Sequence, residues 1–174
     1  FYPSVGLSWV ISETFKLPEA ISYLKVRGSW AEVASSPSRY LTRMQYTYNE
    51  QTNTYEYPST HYNTDLKPEN TKSWEFGLNS KFLNNRINLD VTLYRSNTFN
   101  QTFYVDASAS SGYKNNIVQT GNIQNQGIEL ALGYSDTFNK VKVSTNFTYT
   151  INQNEIISLA NGAVNPDTGE VIQM

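Results

Sequence analysis

The chain has 174 residues, room for about one domain at the usual ~100–200 residues each, and its 13 Lys and Arg against 15 Asp and Glu leave a net charge of −2. That balance provides neither the basic patch of a nucleic-acid binder nor the polybasic stretch that holds an anionic lipid surface. The lack of Cys excludes disulfides, thiolate metal ligands and a Cys nucleophile, and a Ser-His-Asp site would have to use His61, the only histidine.

No run approaches the ~18–20 apolar residues of a transmembrane helix. Phe1-Tyr2-Pro3-Ser4 has neither the basic start nor the apolar stretch of a signal peptide. The mean hydropathy of −0.51 would ordinarily suggest a water-soluble chain. Strands of a membrane barrel, however, alternate lipid-facing and lumen-facing residues and average to the same value. Thirteen Tyr, with abundant Asn, Thr and Ser, favour strands and turns over helices.

The first element is predicted where Val5, Leu7, Trp9 and Ile11 alternate with Ser4, Gly6 and Ser8. A connection from Glu13 to Ser22 follows, with a helical turn expected around Leu17-Pro18-Glu19. Leu24, Val26, Gly28 and Trp30 then alternate with Lys25, Arg27 and Ser29. A long polar loop occupies residues 34–70. Trp74, Phe76 and Leu78 alternate with Ser73, Glu75, Gly77 and Asn79, and a tight turn at Leu83-Asn84-Asn85 leads to Ile87, Leu89, Val91 and Leu93, set between Asn88, Asp90 and Thr92. A second long loop, 97–122, is rich in Ser, Asn and Gly. Ile128, Leu130, Leu132 and Tyr134 alternate with Glu129, Ala131, Gly133 and Ser135 before a turn from Asp136 to Asn139. Val141, Val143, Thr145, Phe147, Tyr149 and Ile151 alternate with Lys142, Ser144, Asn146, Thr148 and Thr150. A third long loop, 153–174, carries the turn Asn165-Pro166-Asp167-Thr168-Gly169.

A period of two, repeated six times, predicts six antiparallel strands of about 9–12 residues, the length of a tilted membrane-spanning strand rather than the ~5–6 of a soluble one. Short and long connections alternate, so all the long loops fall on one side, as in a transmembrane barrel. Long structureless loops are uncommon in compact soluble domains. Lys25, Arg27, Glu75, Lys81, Asp90, Glu129 and Lys142 share the polar face. Against lipid each Lys or Arg would cost about 2–4 kcal/mol at the midplane, so this face must line the lumen, where charges can pair across strands. Phe15, Phe82 and Phe138 are expected near the periplasmic rim, Trp30 and Trp74 toward the outer one. The fold class expected is therefore all-β, an antiparallel transmembrane β-barrel segment. Six strands fall short of the ~8 of the smallest membrane barrel, so the chain is expected to be part of a larger one. The competing reading is a soluble carbohydrate-binding β-sandwich, with the same local alternation but shorter strands.

Four stretches carry a family resemblance. They are Phe1–Glu13; Leu24–Trp30; Leu66-Lys67-Pro68-Glu69 with its continuation to Leu78; and Gly121-Asn122-Ile123-Gln124-Asn125-Gln126-Gly127-Ile128-Glu129-Leu130. In this order and spacing they resemble SusC/RagA-type TonB-dependent transporters of gram-negative outer membranes, and they cover nearly the whole chain, as part of the C-terminal half of the barrel. Ala31-Glu32-Val33-Ala34 departs from the family's glycines there. The resemblance implies a plugged barrel of about 22 strands, with the plug and the TonB-contacting segment upstream of Phe1. It also implies uptake of oligosaccharide or peptide powered by the TonB complex, long loops outside the cell, and a SusD-like surface lipoprotein as lid. A TonB-dependent siderophore or vitamin receptor is the alternative within the same fold. No enzymatic activity, cofactor or metal is implied.

The residues that could touch a ligand or the lid are Tyr40, Tyr46, Tyr48, Tyr55, Tyr57 and Tyr62 in the 34–70 loop. Aromatic faces suit sugar rings and peptide side chains while keeping a polar handle, although packing on one another is the simplest use of them. His61, among these tyrosines, reads as a solvated loop histidine. Asp167-Thr168-Gly169-Glu170 lacks the ligand spacing of a calcium loop and reads as a plain turn. Asn100-Gln101-Thr102 and Asn146-Phe147-Thr148 match glycosylation acceptors, which carry no meaning in a bacterial barrel.

Overall fold

The computed structural model of the chain describes residues 1–119 and 121–158. The elements run β1 (Ser4–Val10), α1 (Ile11–Thr14), β2 (Ile21–Ser35), β3 (Thr47–Asn49), β4 (Thr54–Glu56), β5 (Thr60–His61), β6 (Glu69–Phe82), β7 (Ile87–Phe99), β8 (Thr102–Asp106), β9 (Asn115–Gln119), β10 (Asn122–Phe138) and β11 (Val141–Ser158). Six of them form one sheet in the order β1-β2-β6-β7-β10-β11, so the six alternating segments pair as neighbours in chain order. β1 and β2 pair antiparallel with Val5 opposite Trp30, Leu7 opposite Gly28 and Trp9 opposite Val26. No helix is long and apolar enough to cross a membrane among the described residues.

The strands are longer than alternation predicts. β2, β6, β7, β10 and β11 run 15, 14, 13, 17 and 18 residues. Alternation of polarity disappears over residues 124–126 and 152–155, where both faces are polar, yet the backbone ladder continues through them. β11 therefore covers the first residues of the expected third loop, and the turn at Asn165–Gly169 lies outside the described residues.

β1 is the exception, at 7 residues, because the chain turns into α1 at Ile11. The Thr14 hydroxyl donates to the Val10 carbonyl at 3.2 Å and accepts from Trp9 Nε1 at 2.8 Å, while Phe15 N–H reaches Ile11 O at 2.9 Å. These bonds place the helical turn at 11–14 instead of around Leu17-Pro18-Glu19. There the Pro18 carbonyl accepts from Ile21 N–H at 2.9 Å, a plain turn that feeds β2.

The short connections lock together at one end of the sheet. Leu83, Asn84 and Asn85 all adopt left-handed backbone, with φ of 51°, 57° and 67°. Asn tolerates that region, whereas Leu83 is there against its preference. Leu83 N–H bonds Ala20 O at 2.9 Å, Asn85 N–H bonds Ser22 Oγ at 3.3 Å, and Ser135 N–H bonds Arg86 O at 2.8 Å beside a 3.4 Å Arg86–Asp136 ion pair. The last hairpin is tighter than expected: β10 continues to Phe138, and Asn139, at φ 53°, with Lys140 makes the turn.

The long loops are not structureless, contrary to expectation. Thr47–Asn49 and Thr54–Glu56 form a hairpin, and a three-stranded sheet has the order β5-β9-β8, parallel between β5 and β9 and antiparallel between β9 and β8. These runs of two to five residues are too short for a period-of-two test. Two compact units result. One holds Phe1–Val33, Lys72–Asn97 and Gln124–Glu155; of the described residues the other holds Ala34–Thr71, those of Thr98–Ile123, and 156–158.

In the first unit the apolar face of the sheet is uncovered, with no residue of it fully buried and exposures of 37% at Leu93, 48% at Phe76, 55% at Phe147 and 78% at Leu7 among its large side chains. A soluble sandwich covers such a face with a second sheet about 10 Å away. The buried hydrophobic residues among those described, Ile117 and Val118, both belong to β9 in the second unit. The soluble-sandwich reading therefore fails, and the chain is an antiparallel barrel segment.

Candidate functional site

Two arrangements of side chains could act on a ligand, one in each unit. On the polar face of the large sheet, Arg27 of β2 spans the neighbouring strand. Its Nε lies 3.4 Å from Glu75 Oε1, its Nη1 3.6 Å from Asp90 Oδ2, and its Nη2 donates to Thr92 Oγ1 at 2.7 Å. Asn79 Nδ2 donates to the same Asp90 oxygen at 2.9 Å. The guanidinium can cross because β6 carries Gly77 beneath it: a Cβ there would stand 2.6 Å from Arg27 Cζ. The same device recurs at Gly127, where a Cβ would stand 2.6 Å from Cζ of Tyr94, whose hydroxyl donates to Asn152 Oδ1 at 3.1 Å. Arg27 and Glu75 are each more than a third exposed, so each pair alone contributes little. As a network they fix the wall's polar surface, and the expected cross-strand pairing of charges is present for Arg27, Glu75 and Asp90. Lys81 instead lies 5.7 Å from the Tyr23 ring.

The second arrangement lies in the other unit and holds the tyrosines. Tyr48 and Tyr55 face each other across the β3–β4 hairpin, ring centres 5.2 Å apart. Tyr46 meets Tyr57 edge to face at 5.5 Å, Tyr57 meets Tyr113 at 5.9 Å, and Tyr113 stacks on His61 at 4.8 Å with the rings inclined by 21°. The Tyr113 hydroxyl lies 3.4 Å from that of Tyr57 and 4.0 Å from Met44 Sδ. Four of the six expected tyrosines are thus packed on other rings. Tyr62 lines a cavity, and Tyr40, at φ 70° and 62% exposed, joins no ring contact among those found.

Two members escaped the sequence reading. Tyr113 sits alone in the run Ala107-Ser108-Ala109-Ser110-Ser111-Gly112, whose composition reads as linker; a lone aromatic in such a run is the signal that it packs on something. His61 is no solvated loop residue: it is half-buried, paired with Asn116 in the parallel β5–β9 ladder and stacked on Tyr113.

Beside this cluster is a cavity of about 620 Å³, inside the roughly 300–1,000 Å³ range of small-ligand sites. The buried Ile117 and Val118, the aromatic His61 and Tyr62, and the polar run Asn63, Thr64 and Asp65 are among the residues that line it. The polar run is held by an Asn63 Oδ1 that accepts from Asp65 N–H at 2.9 Å. Gln119 clamps the segment from below: its Oε1 accepts from Lys67 N–H at 2.5 Å and its Nε2 donates to the Lys67 carbonyl. Among the described residues no group of three or more His, Asp or Glu could hold a metal ion.

The family profile described as "TonB dependent receptor-like, beta-barrel" matches residues 1–170. The chain is 27% identical over 167 residues to "TonB-dependent receptor P39" of Formosa agariphila, covering 91% of this chain and 16% of that protein. It is 27% identical over 177 residues to "TonB-dependent receptor SusC" of Bacteroides thetaiotaomicron, covering 92% and 17%. It superposes on a chain of the RagAB peptide importer in its "open-open" state with a TM-score of 0.73 and 28% identity, over 97% of this chain and 19% of that one. The chain therefore spans about a sixth of the length of the curated relatives it matches.

Proposed function

The chain belongs to the TonB-dependent receptor-like β-barrel family, in its SusC/RagA branch, and on that premise we propose that it forms a part of the wall and surface loops of an outer-membrane nutrient importer. One observation carries this reading: five long strands and the shorter β1, neighbours in one sheet, present an open apolar face on one side and an internally paired polar face on the other. Lipid satisfies the first face and a wet or plugged lumen the second. A water-soluble role would leave Leu7, Phe76, Phe147 and their neighbours facing water as one sheet-wide apolar patch.

The remainder follows from the family. The long loops face the cell exterior and the short turns the periplasm, since barrels of this kind keep their long loops outside. The whole transporter takes up oligosaccharides or peptides and works with a SusD-like lipoprotein over its outer mouth and the TonB complex beneath it. The likeness to SusC and to an importer chain of RagAB supports a nutrient over a siderophore or vitamin. Tyr40, Tyr46, Tyr48, Tyr55, Tyr57 and Tyr62 belong to the surface this lid or its cargo meets. The test is uptake of fluorescently labelled oligosaccharides and peptides by cells with and without the whole transporter, each with TonB present or depleted. Uptake that requires both proteins is expected; uptake indifferent to the transporter, for every cargo, would sink the reading.

A further inference from the structure

The cavity over β9 has a composition that selects among ligands. Its lining is apolar at Met44, Ile117 and Val118, the last two buried, and aromatic at His61 and Tyr62. Its rim offers an amide, a hydroxyl and a carboxylate from three successive residues, Asn63, Thr64 and Asp65. Among the described residues no Lys or Arg lines it. The carboxylate of Asp65, exposed at the mouth, takes part in none of the ion pairs among the described residues. Lys67, two residues on, is tied to Gln119 through its backbone, and its side chain is not part of the wall.

An apolar and aromatic lining with a hydrogen-bonding rim suits a ring with an apolar face and polar edges. An uncompensated carboxylate at the mouth repels an anion and accepts hydroxyl hydrogen bonds, which are strengthened by its charge. A peptide bound by strand addition needs a free sheet edge. β9 offers only a short one, residues 117–119: β8 pairs it along its whole length, and β5 pairs it on the other side at Asn115 and Asn116 alone.

We infer that this cavity is a subsite for an uncharged saccharide ring, and that Asp65 sets its preference for neutral over anionic glycans. The inference rests on the importer reading above and narrows its cargo. Thr42 lines the same cavity and is exposed, so a Trp at that position adds bulk to the lining without replacing a buried residue.

The experiment uses the purified whole transporter in detergent, without lid lipoprotein, on an array of neutral, uronic and sulfated glycans together with a set of short peptides. The wild type should bind neutral glycans. Thr42→Trp should weaken that binding about tenfold or more, and Asp65→Lys, a change on an exposed rim, should strengthen binding of uronic glycans about tenfold. The inference is overturned if no neutral glycan binds, if only anionic glycans or peptides do, or if both variants stay within about twofold of wild type for every probe. Peptide uptake by cells with a Thr42→Trp variant that behaves as wild type would leave the importer reading standing and remove the subsite. Loss of all transporter-dependent uptake alongside cavity-dependent glycan binding would do the reverse.

Discussion

Arg27 donates a 2.7 Å hydrogen bond to Thr92 although a whole strand, β6, runs between them. The bond exists because Gly77 leaves a gap under the guanidinium. Replacing Gly77 by Val fills that gap, drives Arg27 off its three partners and forces an overpacked side chain, at a cost of about 1–3 kcal/mol. Combining Gly77→Val with Arg27→Ala should cost less than the sum of the two single changes, since the residues share one space. Heat-induced unfolding of the detergent-solubilised whole transporter, followed by the shift between folded and unfolded bands on a gel, measures all three. Additive losses would mean that Arg27 does not lie over Gly77.

Charge placement distinguishes the two faces of the sheet. Leu132→Lys puts an ammonium on the bare apolar face and should cost about 2–4 kcal/mol if that face meets the middle of a bilayer. Ser144→Lys, on the polar face of β11, should be tolerated. The yield of folded transporter in isolated outer membranes gives the comparison, and equal yields would contradict the assignment of lipid and lumen.

The Leu83-Asn84-Asn85 turn holds three successive residues in left-handed backbone. A β-branched residue there meets the full steric penalty, about 1–2 kcal/mol per residue. Asn84→Ile should therefore lower the denaturant midpoint of the whole barrel, while Asn84→Gly should leave it unchanged or raise it. A midpoint insensitive to both would show that the turn readily adopts another conformation.

Gln119 grips the backbone of Lys67 with both ends of its amide. Gln119→Ala removes both hydrogen bonds, worth roughly 0.5–1.5 kcal/mol each. The segment from Tyr62 to Pro68 should become a site of cleavage when intact cells are treated with external protease, with the barrel itself still folded. Cleavage only after cell lysis would place this loop on the periplasmic side.

Much of the large sheet was legible in the sequence because a sheet with one apolar and one polar face must alternate. The pairing order β1-β2-β6-β7-β10-β11, the charge-bearing face and the place of the tight turn at Leu83-Asn84-Asn85 all follow from that pattern, whereas the left-handed backbone of Leu83 does not. Strand ends were not legible, since nothing about Gln124 or Asn154 distinguishes a polar loop from a strand beyond the apolar zone. α1 was misplaced because its cause is a hydroxyl shared between Trp9 and Val10, a contact with no signature in hydropathy. In the candidate site, the tyrosines stood out by number alone. His61 and Tyr113 did not, because stacking between segments over fifty positions apart is invisible to any local pattern.

The length of β10 and β11 has a mechanical meaning. At about 3.4 Å per residue, strands of 17 and 18 residues reach roughly 58–61 Å. Crossing a hydrocarbon layer of about 30 Å at a tilt near 45° uses only some 42 Å of that. The surplus is hydrogen-bonded ribbon standing proud of the lipid, a stiff pedestal rather than a hinge.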